Sequence, residues 1–123
     1  MTMIIPAFVY EDPSAAIAFL RDAFGFSEHA AHAGEDGVVQ HAEMRLGDAY
    51  IMLGPVRDDA ALVPPGPSSV YVVVDDPDAH HARAVAAGAE VVQGLTDKDY
   101  GSREYGARDP AGNVWWFGTY APE

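Results

Sequence analysis

The stretch "VVQHAEMRL", Val38 to Leu46, sets His41, Glu43 and Arg45 two residues apart. On a strand that spacing turns all three side chains to one side. An imidazole beside a carboxylate is the material of a general acid/base pair, or of two ligands to a metal ion. The same pattern also fits a solvated cleft mouth, or a Glu–Arg ion pair that stabilises little. Further along, "NVWWFGTY" holds the chain's two tryptophans, Trp115 and Trp116, side by side. Neighbours on a strand face opposite ways, so the two indoles serve different surfaces. Trp115 and Phe117 are expected to pack on helices. Trp116 is expected to wall a cleft, where an indole offers a stacking surface; the alternative is that it too fills a solid core. Other chemistries lack their residues. There is no cysteine, hence no thiolate nucleophile or thiolate metal site. No phosphate loop, nucleophile elbow or zinc-binding helix motif is present. His29 and His32 read as surface residues, and His80 and His81 as an exposed helical face.

The elements that must position these residues occur twice. "VYEDPSAAIAFLRDAFGF", Val9 to Phe26, and "VVDDPDAHHARAVAAGAE", Val73 to Glu90, share one order: apolar strand, acid–Asp–Pro, Ala-rich helix, Gly. Asp12 and Asp76 suit the N-cap, Pro13 and Pro77 the first helical position, and Gly25 and Gly88 the left-handed C-terminal position. The first helix is expected to bury Ala16, Ile17, Leu20 and Phe24. The second is expected to bury Ala79, Ala82, Val85 and Ala86, showing His80, His81 and Arg83 to a rim or to solvent. After the first helix, "VVQHAEMRL" and "AYIMLG" flank Gly47-Asp48, a hairpin signal. After the second, "SREYGAR" and "NVWWFGTY" flank "DPAG", another turn. A turn centred on Gly47-Asp48 pairs Glu43 with Met52 and Arg45 with Tyr50. Val38, Ala42, Met44, Leu46, Ala49, Ile51 and Leu53 then face the helix; Tyr50 and Met52 join His41, Glu43 and Arg45 on the other side. The Pro-rich segment Pro55 to Pro67 reads as a linker. The predicted chain is a single α+β domain over 1–123: a strand–helix–three-strand (βαβββ) module at 1–54, a linker at 55–67 and a second module at 68–123.

The 123 residues suit one domain. Seven basic against nineteen acidic residues leave a formal charge of −12. Nucleic acid and anionic membrane surfaces are poor partners for such a chain. The field favours a cationic ligand, although high charge also serves solubility alone. The start "MTMIIPAFVYEDP" has no basic n-region and meets a proline after two isoleucines, unlike a signal peptide. No apolar run approaches the ~18 residues of a membrane span. A cytoplasmic protein is expected.

The repeated unit, "FLRDAFGF", and above all "YGSREYGARDPAGNVWWFGTY" resemble the glyoxalase / bleomycin-resistance / dioxygenase superfamily, also called vicinal oxygen chelate, in its PhnB-like and bleomycin-resistance-like branch. The resemblance covers nearly the whole chain. It implies paired βαβββ modules whose curved mixed sheets surround a cleft, and a homodimer. Metal-dependent members place His, Glu, His and Glu on four cleft-facing strands. The matching positions here hold Ile5, Met52, Ser69 and Trp116. Three offer no suitable oxygen or imidazole nitrogen, and a serine hydroxyl is a poor ligand alone. No metal and no other cofactor is expected. Ligand-lining candidates are Trp116, Tyr50, Met52, Tyr71, Ser69, His41, Glu43 and Arg45, with Ile5, Ala7 and Val9 beside them.

Several functions stay open at this point. One is a small-molecule-binding protein that sequesters an aromatic or cationic compound in a metal-free cleft. Another is a metal-dependent lyase, isomerase or dioxygenase using His41 and Glu43 as displaced ligands. A third is a metal-free enzyme with His41 or Glu43 as base, and the last is a regulatory or structural module. One fold of this kind hosts many activities, so the residues of the site must decide.

Overall fold

A computed structural model describes residues 1–58 and 62–122. Two modules follow one another: β1 (Ala7–Tyr10), α1 (Pro13–Phe24), β2 (Ser27–Ala33), β3 (Val39–Leu46) and β4 (Ala49–Pro55), then β5 (Ser69–Val73), α2 (Pro77–Ala86), β6 (Glu90–Asp97), β7 (Arg103–Arg108) and β8 (Val114–Gly118). Each module forms a four-stranded mixed sheet, ordered β1-β4-β3-β2 and β5-β8-β7-β6. In both, the first strand pairs parallel with the last and the remaining pairs are antiparallel. The fold is α+β, and no strand pairing joins the two sheets into a closed barrel. The expected linker falls partly on residues outside the described set: Pro55 ends β4, and 59–61 are not described.

The repeated capping motif does the same work twice. Asp12 Oδ1 accepts the Ala15 amide and Asp76 Oδ1 the Ala79 amide, both at 3.1 Å. Proline follows each cap, where its missing amide costs no helical bond. Gly25 takes φ 84° at the C-cap of α1, a conformation strained for any residue with a Cβ. The Gly47 turn sets the β3–β4 register, with Glu43 opposite Met52 and Arg45 opposite Tyr50, as the sequence predicts. Val38 departs from expectation: it precedes β3, is 41% exposed and does not join the core.

The helix-facing sides of both sheets meet in one core. Leu20 and Phe24 of α1, Met44, Ile51 and Leu53 of the first sheet, and Tyr105, Trp115 and Phe117 of the second are its large members. Trp115 is fully buried and its ring lies 5.2 Å from that of Phe8 and 5.7 Å from that of Phe26, both from the first module. Asp109 ties the halves by polar contacts as well. Its Oδ2 accepts the Tyr10 hydroxyl at 2.6 Å, Trp115 Nε1 at 2.9 Å and Asn113 Nδ2 at 2.9 Å. Its Oδ1 accepts the amides of Ala111 and Asn113. A buried carboxylate is tolerable only with such full satisfaction. The environment raises the Tyr10 hydroxyl pKa, first by burial and then through Asp109.

The orientation of α2 corrects the sequence reading. Ala84 and Pro77 are its buried residues, whereas Ala79, Ala82, Val85 and Ala86 are exposed. His80 points inward. Its Nε2 lies 2.8 Å from the Phe24 carbonyl, its Nδ1 meets the Tyr105 hydroxyl, and its ring centre is 4.0 Å from that of Phe117. Arg83 reaches the end of α1, donating to the Asp22 and Arg21 carbonyls at 3.1 and 2.8 Å. Those carbonyls have no partner within α1, so a guanidinium there both satisfies them and complements the helix dipole. The polar side chains of α2 thus dock it onto α1, and the alanine stripe faces solvent.

Candidate functional site

With one face of each sheet spent on the shared core, the other face is left open. On the first sheet, His41, Glu43, Arg45, Tyr50 and Met52 share that open face. Strand parity dictates this, since Ala42, Met44, Ile51 and Leu53 are buried. His41 Nε2 lies 3.1 Å from Glu43 Oε2, with the side chains 42% and 36% exposed. Arg45 does not pair with Glu43. Its Nε donates to the Gly47 carbonyl at 2.7 Å, and its guanidinium lies 5.7 Å from the Tyr50 ring centre. His32 of β2 stacks beside His41 at 6.3 Å, and His29 stands edge-on to Tyr50 at 5.2 Å. A depression of about 220 Å³ lies among Met3, Ile5, His29, Glu43, Tyr50 and Met52.

On the second sheet, Ser69, Tyr71 and Val73 of β5 are exposed while Val70 and Val72 point toward the core. Trp116 lies on the open face, partly exposed, back to back with buried Trp115. Its neighbour in register on β7 is Gly106. A Cβ there would come 2.7 Å from the indole, so the ring rests against bare backbone. A second glycine, Gly118, makes room for Tyr71 and Glu104, whose Oη and Cγ a Cβ would strike. The β6 partner of Gly106, Gln93, has its amide nitrogen buried without a hydrogen-bond acceptor.

Glu104 is the charged residue at the centre of this face, only 4% exposed. Tyr71 donates to its Oε2 and Tyr100 to its Oε1, each at 2.9 Å. Ser102 Oγ sits 3.3 Å from Tyr71 Oη, and the Tyr120 amide donates to both oxygens at 3.1 Å. Burial pushes the Glu104 carboxyl up, but the Tyr100, Tyr71 and Ser102 hydroxyls and the field of Lys98 outweigh it, leaving the group below the usual carboxylate range. The Tyr100 hydroxyl is correspondingly pushed up to about 12, chiefly by its bond to Glu104. A recess of about 710 Å³ opens here, bordered by Tyr71, Val73, Tyr100, Glu104, Tyr120 and Pro122.

Sequence reasoning overlooked Glu104, Tyr100, Tyr120 and the two glycines. The signal was available for Glu104: alternation in "REYGAR" puts Glu104 and Gly106 on one side of β7, and the "DPAG" turn aligns them with Gly118 and Trp116.

The two candidate sets occupy different sheets. No hydrogen bond, ion pair or ring contact joins His41, Glu43, Arg45, Tyr50 or Met52 to Ser69, Tyr71 or Trp116 among the described residues. Tyr50 and Tyr71 only border a common groove of about 690 Å³. Ile5 and Met52 border the first depression, and Ser69 and Trp116 belong to the second face. That donor set, a thioether, a hydroxyl, an indole and a hydrocarbon, does not fit a hard or borderline divalent ion. Among the described residues, no three His, Cys, Asp or Glu side chains cluster in a way that could hold one.

Comparison with known proteins places the architecture. The chain is 33% identical over 124 aligned positions to the protein Mb0911c of Mycobacterium bovis, covering 92% of this chain and 80% of that one. Rv0887c of Mycobacterium tuberculosis shows the same identity over 71% of its length. Among solved structures, TioX from Micromonospora sp. ML1 superimposes with a TM-score of 0.81 at 30% identity, over 99% of this chain and 98% of that one. The bleomycin-binding protein of Streptomyces verticillus, solved with copper(II)-bleomycin, gives 0.67 at 25% identity, over 100% and 98%. No helix is long and apolar enough to cross a membrane among the described residues. Residues 5–117 match the family model itself, and the chain belongs to the Glyoxalase/Bleomycin resistance protein/Dioxygenase superfamily.

Proposed function

We propose that this protein binds a small aromatic or cationic molecule and sequesters it without metal chemistry, in a cleft that a second copy of the chain completes. The observation that carries this is Trp116, packed against Gly106 on the open side of its sheet, outside the core. An indole so placed, partly exposed, offers a surface for stacking. The likeness to a protein solved with copper(II)-bleomycin supports the same reading. So does the donor set at Ile5, Met52, Ser69 and Trp116, which suits contact with an organic ligand better than coordination. Two open faces per chain support a homodimer, because each presents half of a cleft and leaves aromatic surface in water.

Bleomycin is the first ligand to test. Titration of the purified protein should quench Trp116 emission with one saturable site per chain, and protein prepared without chelator should carry no stoichiometric divalent ion. One tightly held ion per chain, lost with His41→Ala or Glu43→Ala, would establish the metal-dependent alternative instead. The pairing of His41 with Glu43 is its only support.

A further inference from the structure

The geometry points to a dedicated subsite for an alkylammonium group, protonated or quaternary, in the recess framed by Tyr71, Tyr100 and Tyr120 over the Glu104 carboxylate. It rests on the reading of a ligand-binding cleft and names the charge that the ligand carries there. Three observations lead to it.

Glu104 is buried, yet no Lys, Arg or His nitrogen lies within 4 Å of it among the described residues. Lys98, whose field reaches it, bonds Gln93 Oε1 at 3.5 Å instead. Arg103, on the same strand, is engaged by Asp78 and Asp97. Neutral phenols hold the carboxylate in place, but they do not cancel its charge. Tyr71 and Tyr100 each donate to one carboxylate oxygen and Ser102 adds a third hydroxyl, which leaves the roughly four lone-pair sites of a carboxylate incompletely filled.

The surroundings of that charge are aromatic and open. Tyr71, Tyr100 and Tyr120 are 40%, 57% and 49% exposed. Tyr100 and Tyr120 stand edge to face with ring centres 5.8 Å apart, so their planes form two walls of a corner. Exposed π-faces around a buried anion suit an alkylated cation, which is weakly hydrated and gains from the ring quadrupoles. A bare metal ion would demand more oxygen ligands than one carboxylate and phenols supply.

The recess is also built, not incidental. Gly118 is bare so that Tyr71 and Glu104 can meet, and Ser102, 3% exposed, accepts the Tyr120 amide that brings the third ring into place. The net charge of −12 adds a long-range field of the right sign.

The test uses the full chain and two probes, benzyltrimethylammonium and the uncharged benzyl alcohol, with calorimetry for affinity and tyrosine ring NMR shifts for location. The cation should shift Tyr71, Tyr100 and Tyr120 and lose tenfold or more in affinity in Glu104→Gln, while benzyl alcohol binds both proteins alike. Tyr100→Ala, at an exposed ring, should weaken the cation similarly and serves if Glu104→Gln fails to fold. Equal affinity for the cation in wild type and both variants would overturn the subsite, even if both probes still quench Trp116 and the cleft reading stands. Should neither probe touch Trp116 while the cation still shifts the three tyrosines in a Glu104-dependent way, the subsite holds and the stacking cleft fails. No shift of the tyrosines by the cation overturns the subsite outright.

Discussion

Replacing Trp115 and Trp116 by alanine, one at a time, separates the two surfaces of β8. Trp115 is fully buried against Phe8, Phe24 and Phe26, and its Nε1 donates to Asp109. Removing a buried Trp costs about 3–5 kcal/mol, and the lost donor to a buried carboxylate places this case at the upper end. A chain of 123 residues has a total stability of about 6–18 kcal/mol. Trp115→Ala thus removes a large fraction of it, and a melting temperature lower by roughly 10–25 °C is expected at this chain length. Trp116 lies outside the core, partly exposed against Gly106, so Trp116→Ala should cost much less, about 1 kcal/mol. Its loss should appear in binding instead. An aromatic anchor is worth about 1–3 kcal/mol, a 5- to 150-fold loss of affinity for bleomycin. Circular dichroism melts read the first quantity. Calorimetric titration reads the second, since the variant lacks the fluorescent reporter. The reasoning is refuted if Trp116→Ala melts far below Trp115→Ala, or if it binds like wild type.

Gly106→Ala brings a methyl group into the plane where the indole lies, so it should displace Trp116, shift its emission and weaken bleomycin by about tenfold with little change in melting temperature. Asp109→Asn replaces acceptors of the Tyr10 and Trp115 donors by an amide N–H₂, and should lower stability by about 2–4 kcal/mol in urea unfolding. Acid should destabilise the protein through His80, whose pKa burial lowers, with Arg83 adding to that against the Phe24 carbonyl. The depressed folded value makes its contribution fully present above the ordinary histidine value of 6.5 and lost as the pH falls from there through the folded value; His80→Gln should flatten that part of the stability profile if the sign is right. Light scattering at micromolar concentration should give twice the chain mass of 13.1 kDa, and a monomer mass throughout would remove the second copy from the proposed cleft.

The fold was legible because its signals are local. Asp-Pro caps, the Gly47 turn and alternation in β3 and β4 each act over a few residues, and together they determine the register and which side of each strand is buried. Trp115 and Trp116 could be assigned to opposite faces by parity alone. The α2 orientation was not legible, because an alanine stripe carries little burial energy and Arg83 and His80 find their partners on α1, some 60 positions earlier in the chain. Glu104 was obscured for a related reason. Parity puts it on the open side of β7, but the hydroxyls that bond it there come from Tyr71 and Tyr100, and Tyr100 lies outside any strand, where periodicity says nothing.

The Asp109 hub bears on how the two repeats behave as material. The hairpin at Gly47 has no counterpart to it: one half closes its last two strands with a tight turn, the other with a buried anion bonded across to Tyr10. Prying the halves apart would strip that anion of a donor and open the Trp115 face to water at once. The chain is therefore one cooperative unit despite its internal repetition, without the independence that stacked repeats enjoy. In native-state hydrogen exchange, the slowest amides of β3 and β7 should open with the same free energy, and neither half should persist as a folded fragment once the other has melted.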